Sequence, residues 1–434
     1  MKILVIGQGG REHALAWKLS QSKKSKIIFV APGNGGTSTE EKCVNVNIKA
    51  DDFPGIRKFI IEKQIDLVVI GPEDPLVNGL VNYLEDLNIL VFGPCSNGAR
   101  LEGSKIFSKK FLFENDIPTG KASFFSDPAS AYSFLDSCVY PIVLKADGLA
   151  AGKGVLVSKN IQEAKEWVDL VMNNSLFGAA GENILIEECL YGTELSFMGI
   201  MTPSEFIPFE TSVDYKPLLD GNEGPNTGGM GCISPSPFMN DTLREKVMKK
   251  VVHPTISGLN EMGVSYYGFM YFGLMVKDNE PQVLEFNCRL GDPETQCLMM
   301  QMESDLVDCL EDALDNKQVA ISWKKGSSMG VVIASNGYPE KYKTKIPIEI
   351  GNLGDLKLFH AGTNLVNNEL LTSGGRVFSV NYSGSSLEEC ISGIYNKIDE
   401  IKFDGTIYRL SLIHISEPTR PERIGYGGVW VEKK

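Results

Sequence analysis

Short apolar runs at residues 3–6, 27–30, 67–70 and 89–92 open the chain, separated by stretches with helical spacing. Strands so continuously hydrophobic are buried on both faces, which predicts a parallel sheet covered by helices over residues 1–103. Turn formers near 93–120 flank a short helical pattern and lead into strands at 142–145, 154–157 and 184–188, with helices near 127–136 and 161–173. Residues 104–192 thus read as a connector and a small domain. Strands at 195–201, 206–213, 267–276 and 282–289 frame a helix at 241–262, predicting a larger sheet domain over 193–325. From 326 to 434 the pattern is β-rich, with strands at 329–334, 356–361 and 376–380 and a helix near 386–401. The fold class is α/β and α+β multidomain, with no internal repeat.

The most informative stretch is QVLEFNCRLGDPETQ, residues 282–296. With a strand's period of two, Glu285, Asn287 and Arg289 share one face, and Leu284, Phe286 and Cys288 line the other, which a core would bury. The first face offers a carboxylate, an amide oxygen and a guanidinium. Mg²⁺ takes a few protein oxygens plus phosphate oxygens, and arginine grips phosphate in a bidentate fork, so this set suits a hard cation beside a phosphate. A half-solvated edge strand with incidental charges gives the same pattern. Asp292-Pro293-Glu294 reads as a helix start with Asp292 as the cap.

Three loops at strand ends carry distinctive residues: GQGGREH at 7–13, APGNGG at 31–36 and GPEDP at 71–75. The dinucleotide fingerprint wants a third glycine where Glu12 stands, which argues against a nicotinamide cofactor. A phosphate on the glycine turn, facing a helix that starts near Arg11, stays open, as does simple tight packing. His13 reads as an ordinary helix residue. The loop KADGLAAGKG at 145–154 is not a P-loop, having three residues between Gly148 and Gly152-Lys153 and Gly154 in place of Ser or Thr. It reads as a glycine flap able to close over phosphates, or as a lysine-tipped hairpin. The edge at 184–194 offers backbone groups to a purine and a carboxylate to its ribose. Five glycines in DYKPLLDGNEGPNTGGMG, residues 214–231, make a long permissive loop.

Charge and cysteine usage narrow the classes. The net charge is −13, from 55 acidic and 42 basic residues, with no basic stripe to neutralise nucleic acid. Nine cysteines without a CxxC pair fit a reducing cytosol, and Cys43, Cys138 and Cys309 read as small buried hydrophobes. No apolar run reaches the length of a membrane span, and the N-terminus reads as a strand and not a signal peptide. A soluble, cytoplasmic protein is expected.

Lys105, the glycine flap with Lys145 and Lys153, the strand end at Glu187-Glu188, and Glu285-x-Asn287-x-Arg289 together resemble the ATP-grasp enzymes. More closely, GQGGREHALAW, APGNGGT, GPEDPLVNG, LEGSK, KADGLAAGKGV, GPNTGGMG and EFNCRLGDPETQ are similar to the phosphoribosylamine-glycine ligase family of purine biosynthesis, over residues 1 to about 409. The resemblance implies an ATP-grasp core of two α+β units between the N-terminal and C-terminal domains. It implies ligation of glycine to 5-phosphoribosylamine with ATP, through glycyl phosphate, giving glycinamide ribonucleotide, ADP and phosphate. By the same resemblance Glu285 and Asn287 hold Mg²⁺ or Mn²⁺, and Arg289 steadies the γ-phosphate and the acyl phosphate. Lys105 and Lys145 contact ATP phosphates under a lid of Gly152, Lys153 and Gly154. Glu187, Glu188 and Leu190 line the adenine pocket, with Glu194 on the ribose. Asp214, Asn226, Thr227, Gly228 and Gly229 flank glycine and the phosphates. Gly9, Gly10, Asn34, Pro72, Glu73 and Asp292 receive phosphoribosylamine. The expected partners are these small molecules, with no nucleic acid and no membrane, for a monomer that at most touches neighbouring purine-pathway enzymes transiently.

Two other readings stand beside this one: another ATP-grasp carboxylate-amine ligase or carboxylase subunit, and a non-catalytic nucleotide-binding regulator. The loop at 224–231 and the 7–13 motif argue against the first, and intact Lys145, Glu285, Asn287 and Arg289 against the second. The chain departs from the family in two places. Leu290 stands where the family commonly has Phe, and residues 410–422 are inserted before Ile424-Gly425-Tyr426. That insert resembles translated adaptor sequence and bears on the last strand of the C-terminal domain.

Overall fold

The structure, a computed structural model, describes residues 1–149, 154–410 and 412. The first sheet is parallel, built from Lys2–Gly7, Ile27–Pro32, Cys43–Asn45, Leu67–Ile70 and Leu90–Phe92, with Lys2–Gly7 between Ile27–Pro32 and Leu67–Ile70. Its alternation explains its burial. Ile3 and Val5 face a core shared with helix Gly10–Ser20, with Met198 and Phe269 of the central sheet and with Leu298 of helix Glu294–Gln301. Leu4 and Ile6 face the opposite core with Ile56, Ile60 and Leu80. The strand order reverses at Lys2–Gly7, so the loops at its carboxyl end lie where open α/β sheets bind ligands.

Two antiparallel sheets follow. Ala122–Phe125, Ile184–Glu188, Ile142–Ala146 and Val155–Ser158 make the small one. Phe206–Pro208, Thr193–Met201, Gly268–Lys277 and Glu280–Asn287 make the central one. Its core stacks Phe272 edge-on against Phe206 and Phe286 at 5.4 and 5.6 Å, each contact worth about 1 kcal/mol beyond burial. The helical run expected at 241–262 spans Asp241–Val247, a π-turn at Met248–Val252 and His253–Glu261. Pro254 stands in the first turn of His253–Glu261, where a missing backbone N–H is tolerated.

Two expectations change here. The single strand expected over 206–213 is divided: Phe206–Pro208 edges the central sheet, while Val213–Asp214 joins a different one. That second sheet also takes Gly231–Ser234 and pairs it with Ser327–Ser335 near the chain's far end, which in turn pairs with Arg376–Gly384 and Thr406–Ile407. Leu284 does not face the core either. The pairing of Gly268–Lys277 with Glu280–Asn287 slips between Gly273 and Leu274, skipping Leu284, so Val283 and Phe286 point inward and Leu284 lines a cavity.

The β-rich unit packs onto the first sheet through a buried cluster. The His360 amide donates to His13 Nδ1 at 2.8 Å, which fixes the proton on Nε2, and Nε2 donates to Glu40 at 3.0 Å. Glu40 also pairs with Lys357. Burial pushes the Glu40 carboxyl up, but the hydrogen bonds from His13 and Lys357 outweigh it and bring it to about 2. Burial lowers His360 to about 3. Both shifts predict acid lability. The unfolded chain takes up the His360 proton from about pH 6.5 downward while the folded chain resists it to about 3, and the Glu40 contribution, complete above about 4.5, is lost as pH falls toward 2. The thermal midpoint should therefore fall steadily from pH 6.5 to 3, with a shallower slope above pH 4.5 in His360→Gln; a flat profile over that range would contradict the assignment.

Candidate functional site

A cavity of about 1170 Å³ opens between the small and central sheets, with the β-rich unit at one side. On one wall, Lys105 begins helix Lys105–Glu114 and its Nζ donates to the Gly148 carbonyl at 2.6 Å. Lys145, from Ile142–Ala146, donates to the Leu284 carbonyl at 3.2 Å and pairs with Glu187. Lys109, one helical turn after Lys105, completes a buried triad with Glu187 at 2.5 Å and Thr119 at 2.8 Å. Glu188 accepts from the Lys121 amide at 3.0 Å, and Leu190 and Glu194 continue the wall. Glu187 is thus engaged by two lysines in the cavity wall.

The opposite wall is the end of Glu280–Asn287. Glu285 and Asn287 line the cavity, and neither side chain has a hydrogen bond or ion pair among the described residues. Burial pushes Glu285 up, but Lys216, Lys145, Arg289 and Lys105 outweigh it and hold the carboxyl below its ordinary value. An ionised carboxylate and a free amide oxygen fit Mg²⁺, which completes its shell with phosphate oxygens and water. Among the described residues no group of three or more His, Cys, Asp or Glu is placed to hold a metal ion. Arg289 is clamped on two edges: Nε meets Glu73 at 3.2 Å, and an NH2 group meets Glu102 at 2.7 Å. Glu102 also accepts from the Cys288 amide at 2.8 Å, so one carboxylate sets both backbone and guanidinium.

A third side comes from residues 214–229. Asp214 Oδ1 is buried without a partner, and burial together with Glu294 pushes its carboxyl well above the usual range. Burial raises Glu294 too; Ser196 donates to it at 3.0 Å and lies 3.0 Å from the Tyr271 hydroxyl. Lys216 lines the cavity 3.5 Å from Glu194. Thr227 holds the loop by donating to the Lys216 carbonyl at 2.7 Å. Asn226, Thr227 and Gly228 reach the cavity, and the β-rich unit braces them: Tyr338 accepts from the Gly228 amide at 3.0 Å, and Arg376 donates to the carbonyls of Gly228 and Asp292 at 2.7 and 2.6 Å. Gly229 sits behind, at φ +117°, where a Cβ would lie 2.5 Å from both Asp214 Oδ1 and Pro293. Gly229→Ala should therefore displace Asp214 and cut turnover on the order of 10²-fold, read as specific activity at saturating substrate.

Around the parallel sheet several expectations change. Gly9 and Gly10 do not line the cavity, and the turn's anion position is filled from within: Glu12 accepts from the Gly9 amide at 2.7 Å, and a Cβ on Gly7 or Gly71 would lie 2.3 Å from Glu12. The residue that breaks the dinucleotide fingerprint thus occupies the place of the phosphate. Asn34 has no side-chain hydrogen bond left to give, since its amide donates to the carbonyls of Gln8 and His360 and its oxygen accepts from Gly36 and Thr37. Pro72 precedes helix Glu73–Val77 and aims Glu73 at Arg289. Asp292 is not the helix cap: Glu294–Gln301 begins after Pro293, and Asp292 accepts from the Arg11 amide at 3.3 Å and Gln296 at 2.9 Å, with Arg376 at 3.6 Å. Gly154 lines the cavity, whereas Gly152 and Lys153 lie outside the described residues, as does the 410–422 insert apart from Leu410 and Leu412. His13 is the helix residue it was expected to be.

Lys109, Glu102, Lys216, Glu294, Tyr338 and Arg376 were not singled out as site residues from sequence. Lys216 stands two positions after Asp214, on the same strand face by period two, and Glu102 lies inside the LEGSK motif, so both had a signal. Tyr338 and Arg376 had none.

Two antiparallel sheets facing across a cavity, lysines on one wall and a carboxylate, an amide and a guanidinium on the other, define an ATP-binding enzyme of the ATP-grasp class. Family profiles described as the N domain, the ATP-grasp (A) domain and the C domain of phosphoribosylglycinamide synthetase match residues 1–102, 103–295 and 328–411. The chain belongs to the phosphoribosylglycinamide synthetase family. It is 44% identical to a phosphoribosylamine–glycine ligase of Clostridium acetobutylicum over 94% of this chain and 98% of the relative. Another, of Salmonella typhimurium, is 44% identical over 94% of this chain and 97% of the relative. The crystal structure of phosphoribosylamine–glycine ligase from Thermotoga maritima matches with a TM-score of 0.84 at 30% identity, over 94% of this chain and 99% of that one. The biotin carboxylase domain of the Hydrogenobacter thermophilus 2-oxoglutarate carboxylase shares the fold, with a TM-score of 0.71 at 16% identity over 94% and 91% of the two chains.

Proposed function

We propose that the chain joins glycine to 5-phosphoribosylamine at the expense of ATP, giving glycinamide ribonucleotide, ADP and phosphate in purine biosynthesis. Beyond family membership, the observation that carries this reading is the unpaired, ionised Glu285 beside Asn287 and Arg289, facing Lys105 and Lys145 across the cavity.

Glycine's carboxylate is a poor electrophile, so it first takes the γ-phosphoryl group of ATP. Its oxygen bonds to phosphorus as the bond to ADP breaks; the amine of phosphoribosylamine then bonds to the acyl carbon of glycyl phosphate, the bond from that carbon to the phosphate oxygen breaks to release phosphate, and the amine nitrogen loses a proton. Catalysis of such transfers is mostly alignment and charge neutralisation. Lys105 and Lys145 hold the ATP phosphates, with Gly152 to Gly154 as the lid that keeps water from the acyl phosphate. Glu188, Leu190 and the Glu187 backbone line the adenine site, with Glu194 toward the ribose. Glu285 and Asn287 would hold Mg²⁺ or Mn²⁺, which supplies charge neutralisation on the phosphates when bound. Arg289, presented by Glu73 and Glu102, grips the transferring group. Asp214, with a buried oxygen left without a partner, takes glycine's ammonium, whose positive charge offsets the burial and the neighbouring Glu294 that disfavour the ionised carboxylate, while Asn226 to Gly229 close over glycine's carboxylate. Phosphoribosylamine approaches past Glu73 and Asp292, with the turn at Gly9 and Gly10 as its far boundary.

No helix among the described residues is long and apolar enough to cross a membrane. All nine cysteines are unpaired, which supports a reducing, cytoplasmic setting. The decisive experiment is ADP release by the purified chain with ATP, Mg²⁺ and glycine, with and without phosphoribosylamine generated in the assay. ADP matched one to one by glycinamide ribonucleotide, only when all are present, is the expected result. If the chain is silent but becomes active when its tail follows the family's usual sequence, the insert is at fault; silence in both overturns the proposal.

A further inference from the structure

Among the described residues Arg409 is the largest fully buried side chain, at 1% exposure, and it lies behind the site. The extended segment that continues from strand Val213–Asp214 explains why. Asp214 and Lys216 face the cavity, so Tyr215 between them turns the other way, into the core of the β-rich unit, where it is 3% exposed. The Arg409 guanidinium lies over the Tyr215 ring at 5.6 Å. It donates to the Pro217 carbonyl at 3.1 Å and to Asn222 Oδ1 at 3.3 Å, and the next amide, of Leu410, donates to Asp220 at 3.0 Å. Arg409 is itself fixed: its carbonyl accepts from Tyr395 of helix Leu387–Tyr395 at 2.7 Å, and Leu412 is buried in the same core.

The hairpin these bonds hold, Pro217–Leu219 with Glu223–Asn226, is solvent-exposed from 219 to 226 and buries little apolar surface of its own. It nonetheless ends on Asn226 and Thr227, which line the cavity. A segment with so little burial takes its position from polar ties. We propose that Arg409 is a positioning residue for the glycine side of the site, fixing Tyr215 from behind and the 217–226 hairpin from beneath, and so setting where Asp214, Asn226 and Thr227 stand. The proposal rests on the ligase reading for the identity of the amino acid, and not for the geometry.

The test uses the full chain and the variants Arg409→Ala, Arg409→Lys and Asn222→Ala. In Arg409→Ala the KM for glycine should rise on the order of tenfold or more while the KM for ATP stays within about twofold, and backbone amides of 218–226 should exchange with deuterium faster. Arg409→Lys, which keeps one donor but not the planar contact with Tyr215, should fall between the wild type and Arg409→Ala. Should Arg409→Ala fail to fold, Arg409→Lys and Asn222→Ala decide by the same readouts. Unchanged exchange at 218–226 would overturn the proposal, as would equal losses toward ATP and glycine. Deuterium exchange needs no substrate, so a wild-type chain that forms no product would overturn the ligase reading and leave the Arg409 question still decided.

Discussion

Glu285→Ala should lose metal-dependent turnover almost entirely. The Glu285 carboxylate, proposed above as the anionic metal ligand, lies at the end of Glu280–Asn287, where no neighbouring side chain engages it among the described residues, and the surrounding lysines and arginine keep it ionised. Removing it takes away several kcal/mol of charge stabilisation at the transferring phosphoryl group, or roughly 10²- to 10⁴-fold in rate. The fold should survive, because Lys145 retains Glu187 and Lys216 retains Glu194. Stopped-time ADP release over a Mg²⁺ titration, with thermal midpoints alongside, separates the two effects. Near-normal turnover with an unchanged Mg²⁺ requirement would remove Glu285 from the metal site.

Arg289→Lys carries the second large effect. The guanidinium uses Nε toward Glu73 and an NH2 group toward Glu102, so its plane is fixed before any substrate arrives. Lysine keeps the charge but cannot span both carboxylates and still present a fork to phosphate. We expect kcat to fall on the order of 10²- to 10³-fold, with the KM for ATP changed much less, because the contact matters most as charge develops on the transferring group. Stability should drop by about 1–3 kcal/mol as Glu102 loses a partner in a buried place. A loss confined to the KM for ATP would instead make Arg289 a ground-state binding residue.

Much of this was legible beforehand, for identifiable reasons. The parallel strands announced themselves because both of their faces are buried, so Ile3 to Ile6 contain no polar position to confuse the period. Glu285, Asn287 and Arg289 were readable because a strand end with alternating chemistry is local information. What escaped depends on pairing partners distant in sequence. Leu284 faces the cavity only because it is left unpaired where consecutive Gly273 and Leu274 of the neighbouring strand pair with Glu285 and Val283, a slip that nothing in 282–289 encodes. The division after Phe206–Pro208 was hidden because Phe209 and Val213 are both apolar and buried, yet belong to different cores. The structural part played by Asn34 was hidden because polar residues in a strand-end loop look the same whether they await a ligand or pin the loop, and here all four side-chain hydrogen bonds stay within the protein.

The pairing of Gly231–Ser234 with Ser327–Ser335 bears on how the molecule is made. A nascent chain that has left the ribosome only as far as residue 325 has every element of the central sheet, but the strand that carries Asp214 still lacks the edge its sheet is built on. The wall that carries Asp214 cannot settle until the last quarter of the polypeptide is being synthesised. Nucleotide-binding surfaces would then mature before the acceptor pocket, leaving ribosome-bound intermediates able to hold ATP without any means of spending it.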